Sequence, residues 1–497
     1  MSSGSSFERS QGVGFTCHRR EFLAAMGVAG GTLALGVSRA SAVNPVQLPS
    51  RKKEGARVRA AFVYPPSSTF ANNPDGWWSW PGNEFDAEGR QRAYTASLRA
   101  IEKRLAMRID VAQQPVGTGQ GAKQLADELR ADPPDGLLLV MFYNRSLDHA
   151  DLLIQTAEEL EVPVVFYIGL GVKHGSVAHY RHPGVYLIQS LDNMDAIEVG
   201  MRIINTKKLM SQCRLLSITE ADEPREGVES FLGVTVRVIP FSVYAEAFEN
   251  VSLGKESRRF ISSLRREATE TRGVTDQAFE NAARGHFALC RLLADEDADG
   301  LTMNCLKRGM LKPCVSFSVL NSQLVPAACE NDLPAMYTQL LGQLLTGRPG
   351  FQHNPCYETE RNHYYASHCT CPTRVYGPEE RALPYLLRRF AHTNDGSCAI
   401  QVFWNAHDPV TMVRYYPGDD PALDVYAGKV VVSHPMPPAG GCTTNVEIEI
   451  TDRSDACMVK GHHNLLFCGD FARRFRLFAQ MHRMRLAETG FTGTWPL

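Results

Sequence analysis

Residues 135–142, DGLLLVMF, form an almost unbroken apolar run that is too short for a buried helix. Such a run is typical of a strand buried on both faces, as in a parallel sheet covered by helices. Two similar runs flank it, Arg57–Tyr64 (RVRAAFVY) and Val162–Tyr167 (VPVVFY). Helical spacing of apolar residues separates them, at Tyr94–Leu105 and around Ala122–Arg130. Strands that alternate with helices predict an α/β domain with a parallel sheet.

The same alternation begins again after residue 172. A predicted helix at Met194–Asn205 precedes predicted strands at Arg214–Ile218 and Val234–Ile239. Two helical stretches, Lys255–Thr271 and Thr275–Ala294, then lead to a predicted strand at Gly300–Cys305. A short strand at Val325–Cys329 then ends at Glu330, and Asp332 and Pro334 signal the start of a helix. This second α/β domain places Glu330 at a strand end, where open α/β sheets bind ligands.

Beyond Arg348-Pro349-Gly350 the pattern changes to β-rich sequence. Strands are predicted at Val410–Tyr416, Lys429–Ser433 and Asn445–Ile450, and helices at Pro378–Phe390 and Phe471–Ala487. The predicted fold class is therefore α/β, with two Rossmann-like parallel-sheet domains followed by a β-rich, barrel-like C-terminal domain with helices. The predicted boundaries are 57–172, 173–349 and 350–497, which fits a chain of 497 residues at roughly 150 per domain.

Residues 1–42 read as an export signal, and residues 43–56 as a linker. Arg19-Arg20 precedes an apolar run of about 16 residues, shorter than the ~20 of a membrane-spanning helix. Ala40-Ser41-Ala42 then matches a signal-peptidase site. These features predict a twin-arginine signal, the translocation machinery as a partner, and a periplasmic or cell-envelope location. The alternatives are an uncleaved anchor and a disordered basic leader.

Composition narrows the classes of ligand. The net charge of −2 provides no strong basic field, so nucleic acid is not an expected partner. Gly169-Leu170-Gly171 lacks a full dinucleotide fingerprint, and no nucleotide cofactor is expected. Ten of the thirteen cysteines lie from Cys305 onward, but at this density they do not indicate a disulfide scaffold. We expect most of them to be buried apolar thiols.

A carboxylate and three distant imidazoles are the candidate metal ligands. They are Glu330, His368 and the pair His462 and His463. An unpaired carboxylate after an apolar strand is costly to bury, which favours a role for Glu330. The alternative for His368 is a hydrogen-bonded core histidine, and adjacent His462 and His463 would diverge on a strand, so that only one is expected to be a ligand. Asp332 is interpreted as a helix cap.

These residues carry a family resemblance. The segment 327–332 (AACEND) with its helix, Ser367-His368-Cys369 with Pro372, and Gly461-His462-His463, in this order, resemble the L-fucose/L-arabinose isomerase family. The resemblance covers most of the chain after the signal, and the domain order agrees with it. It implies a metal-dependent aldose–ketose isomerase, acting on a free sugar through an enediol, in a homo-oligomer that is usually a hexamer or similar.

The resemblance also implies roles for individual residues. Glu330 would bind a divalent metal and act in proton transfer, with one of His462 and His463 completing the site and His368 joining it. This donor set suits Mn²⁺, with Mg²⁺ as the alternative. The metal would polarise the sugar carbonyl as a Lewis acid. Three tryptophans, Trp77, Trp78 and Trp80, are candidates for stacking on the sugar or for packing on a neighbouring subunit.

The chain departs from the family at the second carboxylate. Asn354 occupies the position of the expected acid, and an amide can bind a metal but cannot act as a base at neutral pH. His353 and Glu358 are the candidate replacements for the catalytic role. Two functions follow: a sugar isomerase, or a non-catalytic descendant that binds a sugar or a metal in the cell envelope.

Overall fold

The structure is a computed structural model, which describes residues 52–71, 82–306, 308–390 and 396–487. Residues 1–42, the predicted export signal, and Trp77, Trp78 and Trp80 lie outside these ranges. Within them, no helix is both long and apolar enough to cross a membrane.

The first part of the fold is a parallel sheet with helices on both faces. Its elements are β1 (Arg57–Val63), α1 (Ser68–Ala71), α2 (Ala87–Leu105), β2 (Arg108–Val111), α3 (Gly119–Ala131), β3 (Gly136–Met141), α4 (Leu147–Glu159), β4 (Val164–Gly169) and β5 (Val185–Ser190). The strand order is β2-β1-β3-β4-β5, and every pairing is parallel. The predicted strand at 135–142 is confirmed as the central β3. The sheet extends past residue 172 because β5 pairs with β4.

The apolar run explains why β3 lies at the centre. Leu138 and Val140 pack with Leu98 and Ile101 of α2 on one face, whereas Leu137 and Leu139 pack on the other face against α3 and α4. All consecutive residues of β3 are buried, so both of its faces are covered. Such a strand belongs in the middle of a sheet that has helices on both sides.

The second part of the fold contains a further sheet and its helices. Its elements are α5 (Met194–Met210), β6 (Arg214–Thr219), β7 (Arg225–Val228), β8 (Thr235–Pro240), α6 (Phe241–Glu249), α7 (Lys255–Glu267), β9 (Glu270–Arg272), α8 (Asp276–Asp295), β10 (Gly300–Met303), α9 (Cys314–Ser322), β11 (Ala327–Cys329) and α10 (Leu333–Thr346). The sheet order is β11-β10-β6-β8-β7, in which β7 alone is antiparallel to its neighbour. The short β11 brings Glu330 to the edge of this sheet.

The last part of the fold contains a closed antiparallel β-barrel and several further elements. Its elements are β12 (Gly350–Glu358), β13 (His363–His368), β14 (Tyr385–Arg389), β15 (Cys398–Val402), β16 (Pro409–Tyr416), β17 (Ala422–Ser433), β18 (Thr444–Ile450), β19 (Asn464–Cys468), α11 (Ala472–Met481) and β20 (Arg485–Leu486). Six strands in the order β16-β19-β12-β13-β18-β17 close through a pairing of β16 with β17. The predicted β-rich, barrel-like region is therefore present, and α11 lies inside the predicted C-terminal helix.

The predicted helix at Pro378–Phe390 is wrong. Its second half is the strand β14, which pairs with β15 and with the short β9 in a separate three-stranded sheet. Tyr385, Leu386 and Leu387 are all buried, so consecutive side chains enter apolar surroundings on both faces. A run buried on both faces gives no clear period, and the strand pairing decides its conformation.

Candidate metal centre

Glu330 stands on a tight turn that the neighbouring strands hold in place. The backbone of Cys329, the last residue of β11, bonds both ends of the Gln352 amide, at 2.7 Å and 3.3 Å. Glu330 and Asn331 both have left-handed backbone, with φ of 64° and 55°. Asn331 is fixed by a hydrogen bond from the Ser217 hydroxyl, 2.6 Å long. The turn therefore directs the Glu330 side chain away from the sheet edge and towards the barrel.

Asp332 is the N-cap of α10, as predicted, and it also reaches the barrel. One carboxylate oxygen accepts from the backbone N–H of Ala335 at 2.9 Å. The other lies 3.0 Å from Nδ1 of His463 and 3.2 Å from Nη1 of Arg414. This second contact joins residues 131 positions apart and fixes the orientation of the His463 ring.

His368 and His463 complete a group of three with Glu330. His368 ends β13, and His463 immediately precedes β19; both are 2% exposed. Nε2 of His368 lies 3.7 Å from Oε1 of Glu330, and Nε2 of His463 lies 3.5 Å from Oε2. One donor atom from each residue lies within 4.8 Å of the others. The predicted convergence of Glu330, His368 and one residue of the histidine pair is therefore present.

The donor set fits a divalent cation. Donors about 2.1 Å from a shared ion are separated by roughly 3–3.5 Å, close to the carboxylate–imidazole distances here. Nε2 of His463 is buried and has no hydrogen-bond partner among the residues that the structure describes, although its other nitrogen is held by Asp332. A carboxylate–histidine pair that leaves one nitrogen free is the usual arrangement behind a metal ligand. One carboxylate and two imidazoles are a donor set that divalent first-row metal ions bind.

Electrostatics favour positive charge between these groups. The imidazoles of His368 and then His463 hold the pKa of the Glu330 carboxyl well below its usual range. Burial opposes charge on His463, but the Asp332 and Glu330 carboxylates outweigh it and raise the pKa of His463 to about 9. A bound cation would replace the protons that the site otherwise holds.

His353 and Glu358 are engaged elsewhere. Nδ1 of His353 lies 3.0 Å from the Phe351 carbonyl oxygen and Nε2 lies 3.0 Å from the Tyr364 hydroxyl, so both nitrogens are used. Burial lowers the pKa of His353 to about 3, which keeps it neutral. Glu358 accepts a 2.6 Å bond from the Arg361 guanidinium, and this contact lowers the pKa of its carboxyl.

In the described part of the chain, Asn354 and His462, unlike His353 and Glu358, are not engaged by other side chains in this way. The Asn354 side-chain oxygen is buried without a hydrogen-bond partner in the described ranges. His462 is exposed, and its ring centroid lies 4.1 Å from that of His463. The cap residue Asp332 and Arg414 belong to the site but were not predicted to do so. The sequence signal at Asp332 indicated a helix cap alone, and Arg414 lies in a predicted strand with no signal of its own.

The sequence matches no protein-family model, and a search of curated proteins found no match either.

Proposed function

We propose that the chain is a metal-dependent aldose–ketose isomerase-like protein of the L-fucose/L-arabinose type, acting on a free sugar. The observation that carries this proposal is the meeting of Glu330, His368 and His463, which come from three separate segments. The order of these segments is the order in the family. The proposal includes the interpretation of the second sheet as a second Rossmann-like domain that delivers Glu330.

Three residues would hold the ion. Glu330, His368 and His463 supply one oxygen and two nitrogens, and Mn²⁺ is the proposed metal, with Mg²⁺ as the alternative. A bound divalent ion supplies Lewis-acid polarisation of the sugar carbonyl. Asp332 keeps the His463 ring in its ligating orientation through the 3.0 Å contact at Nδ1.

Isomerisation also needs a group that moves a proton between C1 and C2 of the sugar through an enediol. His353 has both nitrogens bonded and Glu358 is paired with Arg361, so neither is free to do so. His462 lies at the surface beside His463. Its pKa is lowered, mainly because its ring loses part of its hydration and secondly because His463 is close. A neutral imidazole at the solvent side can accept a proton from C2 and return it to C1. We assign this role to His462.

The same proposal covers location and assembly. Residues 1–42 would direct export by the twin-arginine machinery to the periplasm or cell envelope, and the protein would form a homo-oligomer, with a hexamer as the form usual in the family.

The decisive experiment is an isomerase assay with the full chain and Mn²⁺ over a broad aldose panel. Products are followed by NMR in D₂O, because an enediol exchanges the migrating proton with solvent. Glu330→Gln is expected to lower the rate at least ~10³-fold, since it removes a charged ligand. Glu358→Gln is the matched control and should retain activity, as its carboxylate bonds Arg361 instead.

A second function is favoured by Asn354, which stands where the family has an acid. It is a non-catalytic protein that binds a sugar or a metal in the cell envelope. A sugar complex detected by calorimetry with no exchange of deuterium on any aldose would support this function and end the isomerase proposal. Isomerase activity retained in Glu330→Gln would show that the group of Glu330, His368 and His463 is not part of the mechanism.

A further inference from the structure

A cluster of five thiols lies directly behind His368. Cys305 follows β10, Cys314 begins α9, Cys329 ends β11, Cys369 follows β13, and Cys442 precedes β18. Four of them are at most 7% exposed. The five cysteines lie in or next to five different elements, four strands of two sheets and one helix, so their proximity is a product of the fold and not of a sequence motif.

The thiols contact one another and a single imidazole. Sγ of Cys369 lies 3.6 Å from Sγ of Cys314 and 3.6 Å from Nδ1 of His368. The Cys329 thiol interacts with those of Cys305 and Cys369, and Cys442 also contacts Cys369. One donor atom each from Cys329, His368 and Cys369 lies within 4.8 Å of the other two.

These separations match a tetrahedral metal site. With metal–sulfur bonds of about 2.3 Å and metal–nitrogen bonds of about 2.0 Å, tetrahedral geometry sets sulfur pairs ~3.8 Å apart and nitrogen–sulfur pairs ~3.5 Å apart. The observed 3.6 Å between Cys314 and Cys369 is far longer than a disulfide bond of about 2.05 Å. Thiols that merely fill a core need not converge on one another and on an imidazole, whereas the donors of a metal site must converge.

We propose that Cys329, Cys369 and Nδ1 of His368 bind a thiophilic divalent cation of the zinc type. Two sulfurs and one imidazole supply three of the four ligands of a tetrahedral site and leave the fourth position open. Binding displaces the thiol protons to solvent and involves no oxidation. His368 would then stand between two ions, with Nδ1 towards the thiolates and Nε2 towards Glu330.

The test uses Co²⁺ as a spectroscopic probe on the reduced full chain. Thiolate ligation gives intense near-ultraviolet charge-transfer bands, which oxygen and nitrogen ligands do not produce. We expect these bands in the wild type, their disappearance on adding Zn²⁺, and at least a tenfold loss of intensity in Cys329→Ser/Cys369→Ser. Cys371→Ser is the matched control, because this buried thiol bonds the Trp404 indole N–H and lies outside the cluster.

Glu330→Gln separates this site from the proposed isomerase centre, since it should leave the charge-transfer bands intact. Absence of the bands in folded wild type, or equal bands in the double variant, would overturn the proposal. If the double variant does not fold, X-ray absorption of the Zn²⁺-bound wild type decides. Sulfur scatterers at about 2.3 Å support the site, and a shell of oxygen and nitrogen alone refutes it.

Discussion

Asp332 uses its two carboxylate oxygens for different purposes, one for the α10 backbone and one for His463 and Arg414. Asn caps a helix about as well as Asp, so Asp332→Asn keeps the first function and loses the second. Loss of the carboxylate behind a histidine ligand typically costs 10–100-fold in metal affinity. We expect that loss for Mn²⁺ in a calorimetric titration of the folded variant.

Thr118→Ala provides the control for this experiment. The Thr118 hydroxyl caps α3 by accepting a hydrogen bond from the backbone N–H of Gly121. Its removal costs about 1 kcal/mol of stability and leaves the metal centre unchanged. Equal Mn²⁺ affinities in Asp332→Asn and wild type would show that the imidazole contact does not support metal binding.

His286 makes the fold sensitive to mild acid. It is buried, stacked on Phe260 at 4.5 Å and bonded to Ser316, and burial lowers its pKa from 6.5 to about 4. Because the folded pKa lies below the unfolded one, this stabilisation is complete above pH 6.5 and is lost as pH falls towards 4. The loss approaches about 3 kcal/mol.

The measurement is the free energy of unfolding against pH, in wild type and in His286→Phe. The phenyl ring keeps the stack but cannot titrate, so its curve should fall less steeply between pH 6.5 and 4. His179→Gln, at an exposed histidine, should reproduce the wild-type slope. Parallel curves for wild type and His286→Phe would contradict the prediction.

Sequence reasoning succeeded at this scale where the signal is local. The cap at Asp332 was readable because its partner, Ala335, is three residues away. The contact with His463 spans 131 positions and depends on how α10 meets the barrel, which no local pattern encodes. For the same reason, no local pattern predicts that the five clustered thiols, which range from position 305 to position 442, lie together.

At the scale of elements, α10 packs so closely on the barrel that one position permits no side chain. A Cβ at Gly342 would stand 2.0 Å from the Phe467 ring, which is fully buried. Alanine favours a helix over glycine by about 1 kcal/mol, but the clash outweighs this gain. We expect Gly342→Ala to lower the free energy of unfolding by about 1–3 kcal/mol in denaturant titrations.

Gly121→Ala in α3 is the matched substitution. Its Cβ would meet the Thr118 hydroxyl at an ordinary 3.5 Å, so helix propensity alone should act and stability should stay level or rise. A stable Gly342→Ala protein would mean that α10 can move away from the barrel.

The β14 strand shows the limit of prediction for elements. Pro378–Phe390 was predicted to be a helix, yet its second half pairs with β9, more than 100 residues earlier. Long, strongly periodic segments such as α2 and α8 were recovered, because their buried faces repeat at helical spacing. A short strand buried on both faces carries no such period.

At the scale of the whole molecule, the candidate ligands belong to different parts of the fold. Glu330 follows the second sheet, and His368 and His463 belong to the barrel. An ion that binds only when these parts meet stabilises the folded state by about 2.7 kcal/mol at a hundredfold excess over Kd. Saturating Mn²⁺ should therefore raise the midpoint of thermal unfolding in wild type.

Glu330→Gln should show a much smaller shift under the same conditions, whereas Glu358→Gln should match the wild type. A midpoint that does not respond to Mn²⁺, or responds equally in all three proteins, would contradict the prediction.

The order of the α/β elements and the β-rich, barrel-like end could be predicted because the spacing of apolar residues along the chain distinguishes helices from strands. The sequence could not predict that β16 pairs with β17 to close the barrel, since closure depends on register among six strands.

The left-handed turn at Glu330 lowers the stability of the fold in favour of the proposed metal site. Asparagine tolerates this conformation, but glutamate is disfavoured in it relative to glycine, by roughly 1 kcal/mol or more. Selection for a robust fold alone would place glycine at position 330 and delete the carboxylate. Efforts to thermostabilise this protein should therefore leave that turn unchanged, because the most favourable backbone choice there is also the one that would empty the site of its acid.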